Sequence, residues 1–401
     1  MADLVLLTRG HLGNVETRNR FIRSSTSETL ADDRGFITPG YRNFHLRLAR
    51  GGVGLIFTGH CSVHPSGRYI RGMTSLADDE HVPPLRSFTD AIHAEGARIF
   101  AQLNHAGSQS RDPAAQPLAP SVVPNPQFFR TPREATEDEI LEIVEAFGAA
   151  AGRVKAAGFD GVHVHAGHGY LISEFLSPVT NRRTDRWGGS LENRQRLGLE
   201  VFRAMRRTVG PDFPISWKLG LEDFVPGGLT LEEGLATAAA FDAEGVDAVE
   251  GSAGLMSPKA ESARQYAGVT RRRALEDKLL HRVFSERVPE AFLYENARRL
   301  RERVGCTVIL VGGLRTVSVM ERALQDGVAD FVSLARPFIR EPELVRKIES
   351  GWRGTAACVS CNICLMHEGV HPLRCWREST RALAAHAWYR LTGQVPAKTE
   401  A

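Results

Sequence analysis

The chain of 401 residues lacks the features that would place it in several specialised classes of protein. Its formal net charge is only +3, so nothing favours nucleic acid or an anionic membrane as a partner. No apolar run approaches the roughly 20 residues that span a bilayer. Residues 1–14 lack the basic start, long apolar stretch and cleavage site of a signal peptide. We therefore expect a globular protein of the cytoplasm.

Cysteine is also scarce, and its distribution excludes a small disulfide-bonded scaffold. The chain has six cysteines, and four of them crowd one short stretch: Cys358, Cys361, Cys364 and Cys375. In a large chain of this kind, such clustering indicates ligation of a metal or an iron–sulfur cluster.

Short apolar runs alternate with longer amphipathic stretches along most of the chain. The apolar runs predict eight strands, at residues 21–25, 53–58, 99–103, 161–165, 215–219, 248–251, 308–311 and 331–334. The stretches between them predict helices, among them residues 136–157, 191–208, 230–244 and 316–326. Thr136 and Thr230 each precede a glutamate by three residues, which is the spacing of a capping box.

Eight apolar strands, each followed by a helix, indicate a parallel sheet with both faces covered. Closed on itself, this α/β sheet is a (β/α)8 barrel of the TIM type. A doubly wound open sheet is the alternative, but no G-x-G-x-x-G motif follows the first strand. The alternation stops near Gly351. We therefore expect the barrel over residues 1–351 and a C-terminal extension over residues 352–401, with the cysteines and a helix at 381–391.

The most informative stretch begins at the end of the fourth predicted strand. His165, His168 and Tyr170 would lie at the carboxyl end of that strand, where barrel enzymes carry their active sites. Two imidazoles three residues apart can hydrogen-bond one carbonyl oxygen, and a nearby phenol can deliver a proton. A metal site is the competing interpretation, but no carboxylate or third ligand stands beside the pair. Two loop histidines without a role are the other alternative.

Residues 165–194, HAGHGYLISEFLSPVTNRRTDRWGGSLENR, closely resemble a signature of the old yellow enzyme family of FMN-dependent ene reductases. Residues 19–28, 51–59 and 101–107 resemble the first three strands of that family, in the same order. The resemblance covers about residues 1–350. It implies FMN across the barrel mouth, NADH or NADPH as reductant, and reduction of the C=C bond of α,β-unsaturated carbonyl compounds.

The resemblance also implies roles for individual residues. His165 and His168 would hold the substrate oxygen, and Tyr170 would protonate the α-carbon after hydride transfer. The positions that match flavin-binding residues of the family are Ser25, Ser27, Gly59, Gln102, Lys218, Gly312, Gly313, Ala335 and Arg336. The last four would surround the phosphate. Lys218 departs from the arginine of most relatives, and Ser25 and Ser27 replace the proline and the threonine or cysteine found in many.

The cysteine motif has spacings of two, two and ten residues between its members. It resembles the [4Fe–4S] motif of larger relatives, the dienoyl-CoA reductases, 2-enoate reductases and trimethylamine dehydrogenase. A zinc ion, or no metal at all, remains an alternative.

Two other functions stay open at this stage. One is oxidative N-demethylation or dehydrogenation of a small amine, as in relatives that carry the cysteine motif. A non-redox lyase or isomerase would use residues 312–336 to bind a phosphorylated substrate. Barrels of this type often form dimers, so we expect a homo-oligomer.

Overall fold

The computed structural model describes residues 4–111, 116–126, 128, 130–255 and 289–393. Its centre is a closed barrel of eight parallel strands, which confirms the predicted (β/α)8 fold. In chain order the strands are β1 Phe21–Arg23, β2 Leu55–Ser62, β3 Arg98–Asn104, β4 Gly161–Ala166, β5 Ile215–Gly220, β6 Ala248–Ser252, β7 Thr307–Val311 and β8 Phe331–Leu334.

Each predicted strand overlaps one strand of the barrel, with ends that differ by a few residues. The largest difference is in β2, which continues to Ser62, four residues beyond its predicted end. Its pairing with β3 shifts between Phe57 and His60, so that one extra residue is accommodated as a β-bulge. This bulge changes the direction of the side chains at the end of β2, where the barrel opens.

Helices surround the barrel on its outer side, as the amphipathic stretches predict. They are α1 Pro39–Arg50, α2 Val82–Ala94, α3 Glu137–Ala156, α4 Leu191–Val209, α5 Leu231–Ala243, α6 Tyr294–Arg301, α7 Val317–Gln325 and α8 Leu344–Glu349. The two predicted capping boxes are both present, with Thr136 at the start of α3 and Thr230 at the start of α5. Of the helices in the described part of the chain, none has the length and apolar character to traverse a bilayer.

Shorter elements connect and cover these units. A hairpin of Gly10–Leu12 and Val15–Thr17 precedes the barrel, and Leu118–Ala119 pairs with Arg133–Glu134 after β3. Short helices at Leu171–Leu176 and Arg336–Arg340 follow β4 and β8. Single turns of 3₁₀ helix lie at Val5–Leu7, Pro65–Gly67, Asp79–His81 and Gly107–Gln109.

Apolar side chains fill both sides of the barrel wall. One cluster lies inside the barrel and includes Phe57, Phe100 and Phe331. Gly161 on β4 is needed there, because a Cβ atom at this position would meet the ring of Phe100 at 2.6 Å. A larger cluster lies between the strands and the helices. The rigid wall that results holds the strand ends in fixed positions.

The C-terminal extension, as far as Gly393, contains two helices, Ile363–Met366 and Thr380–Thr392, of which the second was predicted from the sequence. A bridge between Thr316 and Thr355 ties its beginning to the barrel. Further on, the Leu373 N–H donates to the carbonyl of Glu28 near the mouth. The extension therefore folds back over the end of the barrel at which β1 terminates.

Candidate active site

A pocket of about 1340 Å3, partly open to solvent, lies at the carboxyl ends of the strands. All the predicted catalytic and flavin-binding residues except Gly59 line it: Ser25, Ser27, Gln102, His165, His168, Tyr170, Lys218, Gly312, Gly313, Ala335 and Arg336. Gly59 packs instead against Glu28, and its backbone hydrogen-bonds that carboxylate. These residues from the ends of six strands thus meet in one place, although they are up to 311 positions apart, from Ser25 to Arg336.

His165, His168 and Tyr170 form one group in this pocket. The ring of His165 lies 4.6 Å from that of Tyr170 and 5.2 Å from that of His168, between centroids. His168 has a φ of +59°, which is unusual for a residue other than glycine. Two contacts hold it in this conformation: the Gln109 side chain donates to its carbonyl at 2.6 Å, and its Nε2 lies 2.7 Å from the Ser252 hydroxyl.

Burial determines the protonation of these three groups. It lowers the pKa of His168 to about 3, with a further contribution from Lys218. The pKa of His165 falls well below its usual value, again through burial and through the neighbouring His168. Burial raises the pKa of Tyr170 well above 10. Both imidazoles are therefore neutral and the phenol keeps its proton at neutral pH.

Lys218 contributes a positive charge to the pocket, and a buried network holds it. Its ammonium lies 2.7 Å from Oε2 of Glu250 and donates to the Ser24 hydroxyl at 2.9 Å. Ser24 in turn donates to Oε1 of Glu250 at 2.8 Å. His163 contacts Oε2 at 3.2 Å. Burial alone would raise the pKa of Glu250, but Lys218 and His163 together hold it far below its usual value.

The polar groups left without partners fit a flavin ring system. Oε1 of Gln102 accepts from the Ser25 hydroxyl at 2.6 Å, while its Nε2 has no partner in the described structure. The buried Ser333 hydroxyl is also without a partner. Both residues line the pocket with Lys218. A buried amide donor, a hydroxyl and an ammonium match the carbonyl oxygens and ring nitrogens of isoalloxazine.

Another part of the pocket fits a phosphate. Gly312 and Gly313 follow β7 with φ values of +110° and +73°, which a residue with a Cβ rarely adopts. Such a turn lets backbone N–H groups approach an anion closely. Arg336, after β8, lines the same part and donates to the side chain of Asn362 in the extension.

The pocket residues that were not predicted from the sequence include His60, Tyr69 and Glu368. The Tyr69 hydroxyl donates to Oε2 of Glu368 at 3.2 Å, and Ser27 also hydrogen-bonds this carboxylate. Its pKa is raised by burial. His60 follows the bulge in β2, so a longer strand prediction would have drawn attention to it. Glu368 carries no such signal, because only folding brings the extension to the barrel mouth.

The four clustered cysteines line a second pocket of about 590 Å3 beside the first. Arg336 borders both pockets. No three of the four sulfur atoms lie within 4.8 Å of one another. Tetrahedral zinc, with Zn–S bonds of about 2.3 Å, would hold its sulfurs roughly 3.8 Å apart. A cluster binds each thiolate through a different iron, so it suits a wider arrangement.

Comparisons of sequence and structure relate this chain to known proteins. Residues 10–354 match the model of the NADH:flavin oxidoreductase / NADH oxidase family. A NADH oxidase of Thermoanaerobacter brockii is 35% identical over 363 residues, which cover 89% of this chain and 53% of that protein. A 4,4'-dithiodibutanoate disulfide reductase of Rhodococcus erythropolis is 33% identical over 377 residues, which cover 88% and 90%.

A solved structure of 2-naphthoyl-CoA reductase with 2-naphthoyl-CoA superimposes with a TM-score of 0.84 at 27% identity. The match covers 94% of this chain and 57% of that one. This chain therefore spans only about half the length of the T. brockii relative and of this structure.

Proposed function

Because the chain belongs to the NADH:flavin oxidoreductase / NADH oxidase family, we propose that it is an FMN-dependent ene reductase. Its substrates are α,β-unsaturated carbonyl compounds, and NADH or NADPH is the reductant. The observation that carries this proposal is the group of two neutral imidazoles and a protonated phenol in one pocket. The unpartnered donors of the same pocket provide the fit for FMN.

Distinct parts of the pocket would hold FMN. Gln102 and Lys218 would bind the ring, with Ser25 and Ser27 nearby, and Gly59 supports this end through its contact with Glu28. The phosphate would lie at Gly312, Gly313, Ala335 and Arg336. When bound, FMN accepts hydride from the nicotinamide and supplies it to the alkene.

The two histidines bind and polarise the substrate carbonyl. The Gly167 N–H donates to Nδ1 of His165 at 3.3 Å, so the single proton of this neutral ring lies on Nε2 and can be donated to the substrate. His168 lies beside it, fixed by Ser252. Each hydrogen bond to the oxygen on which negative charge develops contributes about 3 kcal/mol in such a water-poor site.

Tyr170 supplies the proton. Its phenol is buried and protonated, and its ring lies beside His165, so a carbonyl held by the histidines places the adjacent carbon near the hydroxyl. A positioned acid of this kind contributes about 10² to 10⁴ in rate. The ammonium of Lys218, kept in place by Glu250, adds positive potential at the flavin end of the pocket.

The test uses the purified chain supplied with FMN. We expect one FMN to bind per chain, with a visible flavin spectrum that NADH or NADPH bleaches anaerobically. Addition of 2-cyclohexenone should restore the flavin spectrum and yield cyclohexanone. If FMN does not bind, the cofactor proposal is wrong. If flavin is reduced but no enone reoxidises it, the substrate class is wrong while the cofactor proposal stands.

One observation favours a second candidate, the oxidative N-demethylation or dehydrogenation of a small amine. Tyr69, Tyr170 and His60 form an aromatic wall, and the Glu368 carboxylate lies beside it. Aromatic faces with a nearby carboxylate attract a cation. Under this alternative, dimethylglycine or trimethylamine would bleach the bound flavin without any nicotinamide. The family membership removes the support for a non-redox lyase or isomerase.

For the cysteine pocket we propose a [4Fe–4S] cluster bound by Cys358, Cys361, Cys364 and Cys375. The four cysteines line one pocket, and no three of their sulfur atoms lie within the 4.8 Å of one another that four-coordinate zinc would require. After anaerobic reconstitution with iron and sulfide, we expect four irons per chain by metal analysis, and a Cys361→Ser variant should bind fewer. One zinc per chain in place of iron would contradict the cluster.

Assembly and compartment are also part of the proposal. Barrels of this type often form dimers, so we propose a homo-oligomer. We also propose that it is located in the cytoplasm. Sedimentation equilibrium at micromolar concentration should give a mass that is a multiple of the 44.1 kDa chain.

A further inference from the structure

His60 is a buried histidine on the wall of the active-site pocket that neither the FMN site nor the proton transfer uses. It is only 5% exposed, and it lines the pocket. Its ring centroid lies 5.2 Å from that of Tyr170, 5.4 Å from that of Tyr69 and 6.3 Å from that of His165. The imidazole thus shares a wall with the groups that bind and protonate the substrate.

The hydrogen bonds of His60 identify which of its nitrogens carries the proton. The Asn104 side-chain Nδ2 lies 2.9 Å from Nδ1 of His60. An amide nitrogen can only donate, so Nδ1 is the acceptor. Burial lowers the pKa of His60 to about 4, which keeps the ring neutral with one proton. That proton is therefore on Nε2.

The Nε2 atom of His60 has no hydrogen-bond partner in the described structure. Buried donors are nearly always paired, so an unpaired donor on a residue that lines a pocket is a candidate to bind a ligand. The β-bulge between Phe57 and His60 directs this side chain away from the regular strand pattern. The donor is therefore held by two independent features, the bulge and Asn104.

The neighbours of His60 limit the kind of group that it can bind. Glu368 lines the pocket and accepts from the hydroxyl of Tyr69, next to the His60 ring. A carboxylate on the substrate would approach Glu368 unfavourably. Arg111 lies over the ring of Tyr69, 5.9 Å from its centroid, and is not among the residues that line the pocket. A neutral acceptor, such as a carbonyl oxygen, fits best.

We infer that His60 is a substrate-binding residue that donates its Nε2–H to a second carbonyl of the alkene, so that the enzyme prefers alkenes with a carbonyl at each end of the double bond. This inference rests on the proposed ene-reductase function. Under it, His165 and His168 hold one oxygen and His60 holds the other. The preferred substrate class is that of cyclic enediones.

The test compares 4-oxoisophorone with the matching ketone that lacks the second carbonyl. The measured quantity is the ratio of kcat/KM for the two compounds. We expect His60→Phe, which keeps an aromatic ring but has no donor, to lower this ratio about ten-fold, the effect of one net hydrogen bond. His60→Gln, which has an amide donor, should retain most of the preference.

His64→Phe is the matched control, since His64 lies two residues beyond the end of β2 and outside the lining of the pocket. It should leave the ratio unchanged. An equal effect of His60→Phe on both compounds would overturn the inference while leaving the proposed function intact. If the wild-type protein reduces neither compound, the proposed function fails instead, and the role of His60 is decided by the binding measurement below.

The binding measurement uses NMR of FMN-loaded protein with 15N-labelled histidine. The His60 signal is identified by its loss in His60→Phe, and we expect it to show the Nε2–H tautomer. The saturated dione, which cannot be reduced, should shift this signal, whereas the saturated monoketone should shift it much less. A signal of the Nδ1–H tautomer, or one that responds to FMN but not to the dione, would overturn the inference.

Discussion

At the scale of single residues, the environment of each group determines what it can do. His165 and Tyr170 are ordinary side chains in sequence, but burial keeps the first neutral and the second protonated. Lys218 faces the pocket with its charge balanced by Glu250, which is buried on the neighbouring strand. Hydrogen bonding and charge compensation at this scale therefore prepare the site for its chemistry.

Replacing Tyr170 with phenylalanine removes the proposed acid. We expect reoxidation of the reduced flavin by 2-cyclohexenone to slow by about 10² to 10⁴. Reduction of the flavin by NADH or NADPH needs no such acid and should change far less. Stopped-flow absorbance resolves the two half-reactions. A comparable slowing of both would show that Tyr170 acts mainly in packing or in binding.

Replacing Glu250 with glutamine leaves the Lys218 ammonium buried without its counter-charge. We expect the free energy of unfolding to fall by about 3 to 5 kcal/mol. The double variant Lys218→Met with Glu250→Gln removes both charges and should recover part of this loss. Chemical denaturation of the three proteins checks the expectation. A double variant less stable than Glu250→Gln alone would contradict it.

At the scale of elements, local signals determine where helices begin and where strands end. The capping boxes at Thr136 and Thr230 form as their spacing predicts. The bulge in β2 has no comparable local signal, because it depends on pairing with β3. The helix 381–391 was predicted from the sequence, whereas the contact of Glu368 with Tyr69 was not.

The cap of α3 can be tested alone. Thr136 is exposed, its hydroxyl accepts from the Glu139 N–H, and the Glu139 carboxylate accepts from the Thr136 N–H. Thr136→Ala should lower the free energy of unfolding by about 1 kcal/mol. Thr136→Ser, which keeps the hydroxyl, should lose much less. Denaturant titrations measure both, and equal losses would show that the methyl group matters rather than the cap.

At the scale of the whole molecule, stability should depend on pH through buried acids. Burial raises the pKa of Glu174 to about 8, against an ordinary value of 4.5. Between these values the folded chain holds a proton that the unfolded chain releases. The contribution of Glu174 to stability therefore decreases as the pH rises from about 4.5 to 8. The decrease is at most about 1.4 kcal/mol per pH unit.

Glu174→Gln removes this titration and keeps an oxygen that can accept from the Ser108 N–H. We expect the stability of the variant, relative to wild type, to increase steadily as the pH rises from 5 to 8. Thermal unfolding across this range gives the comparison. A constant difference at every pH would mean that Glu174 has an ordinary pKa in the folded protein.

Much of the fold of this protein could be predicted from the sequence alone. Hydrophobic periodicity gave the eight strands and the helices, and eight strand–helix units predicted the closed barrel. The resemblance to the old yellow enzyme family assigned Gln102, Lys218 and Gly312 to one flavin site, and all three line one pocket at the carboxyl ends of the strands. The strands, the helices and the barrel follow from local patterns, whereas the flavin-binding residues were identified through the resemblance.

Only the tertiary structure decided which other residues join them. Lys218 and Glu250 meet through the register of β5 and β6, His60 reaches the pocket through a bulge, and Glu368 reaches it through the folding of the extension. None of these contacts follows from a local period, because each depends on how distant segments pair and pack. The side chains become buried only when that packing is complete, so the shift in the pKa of each buried group also depends on the tertiary structure.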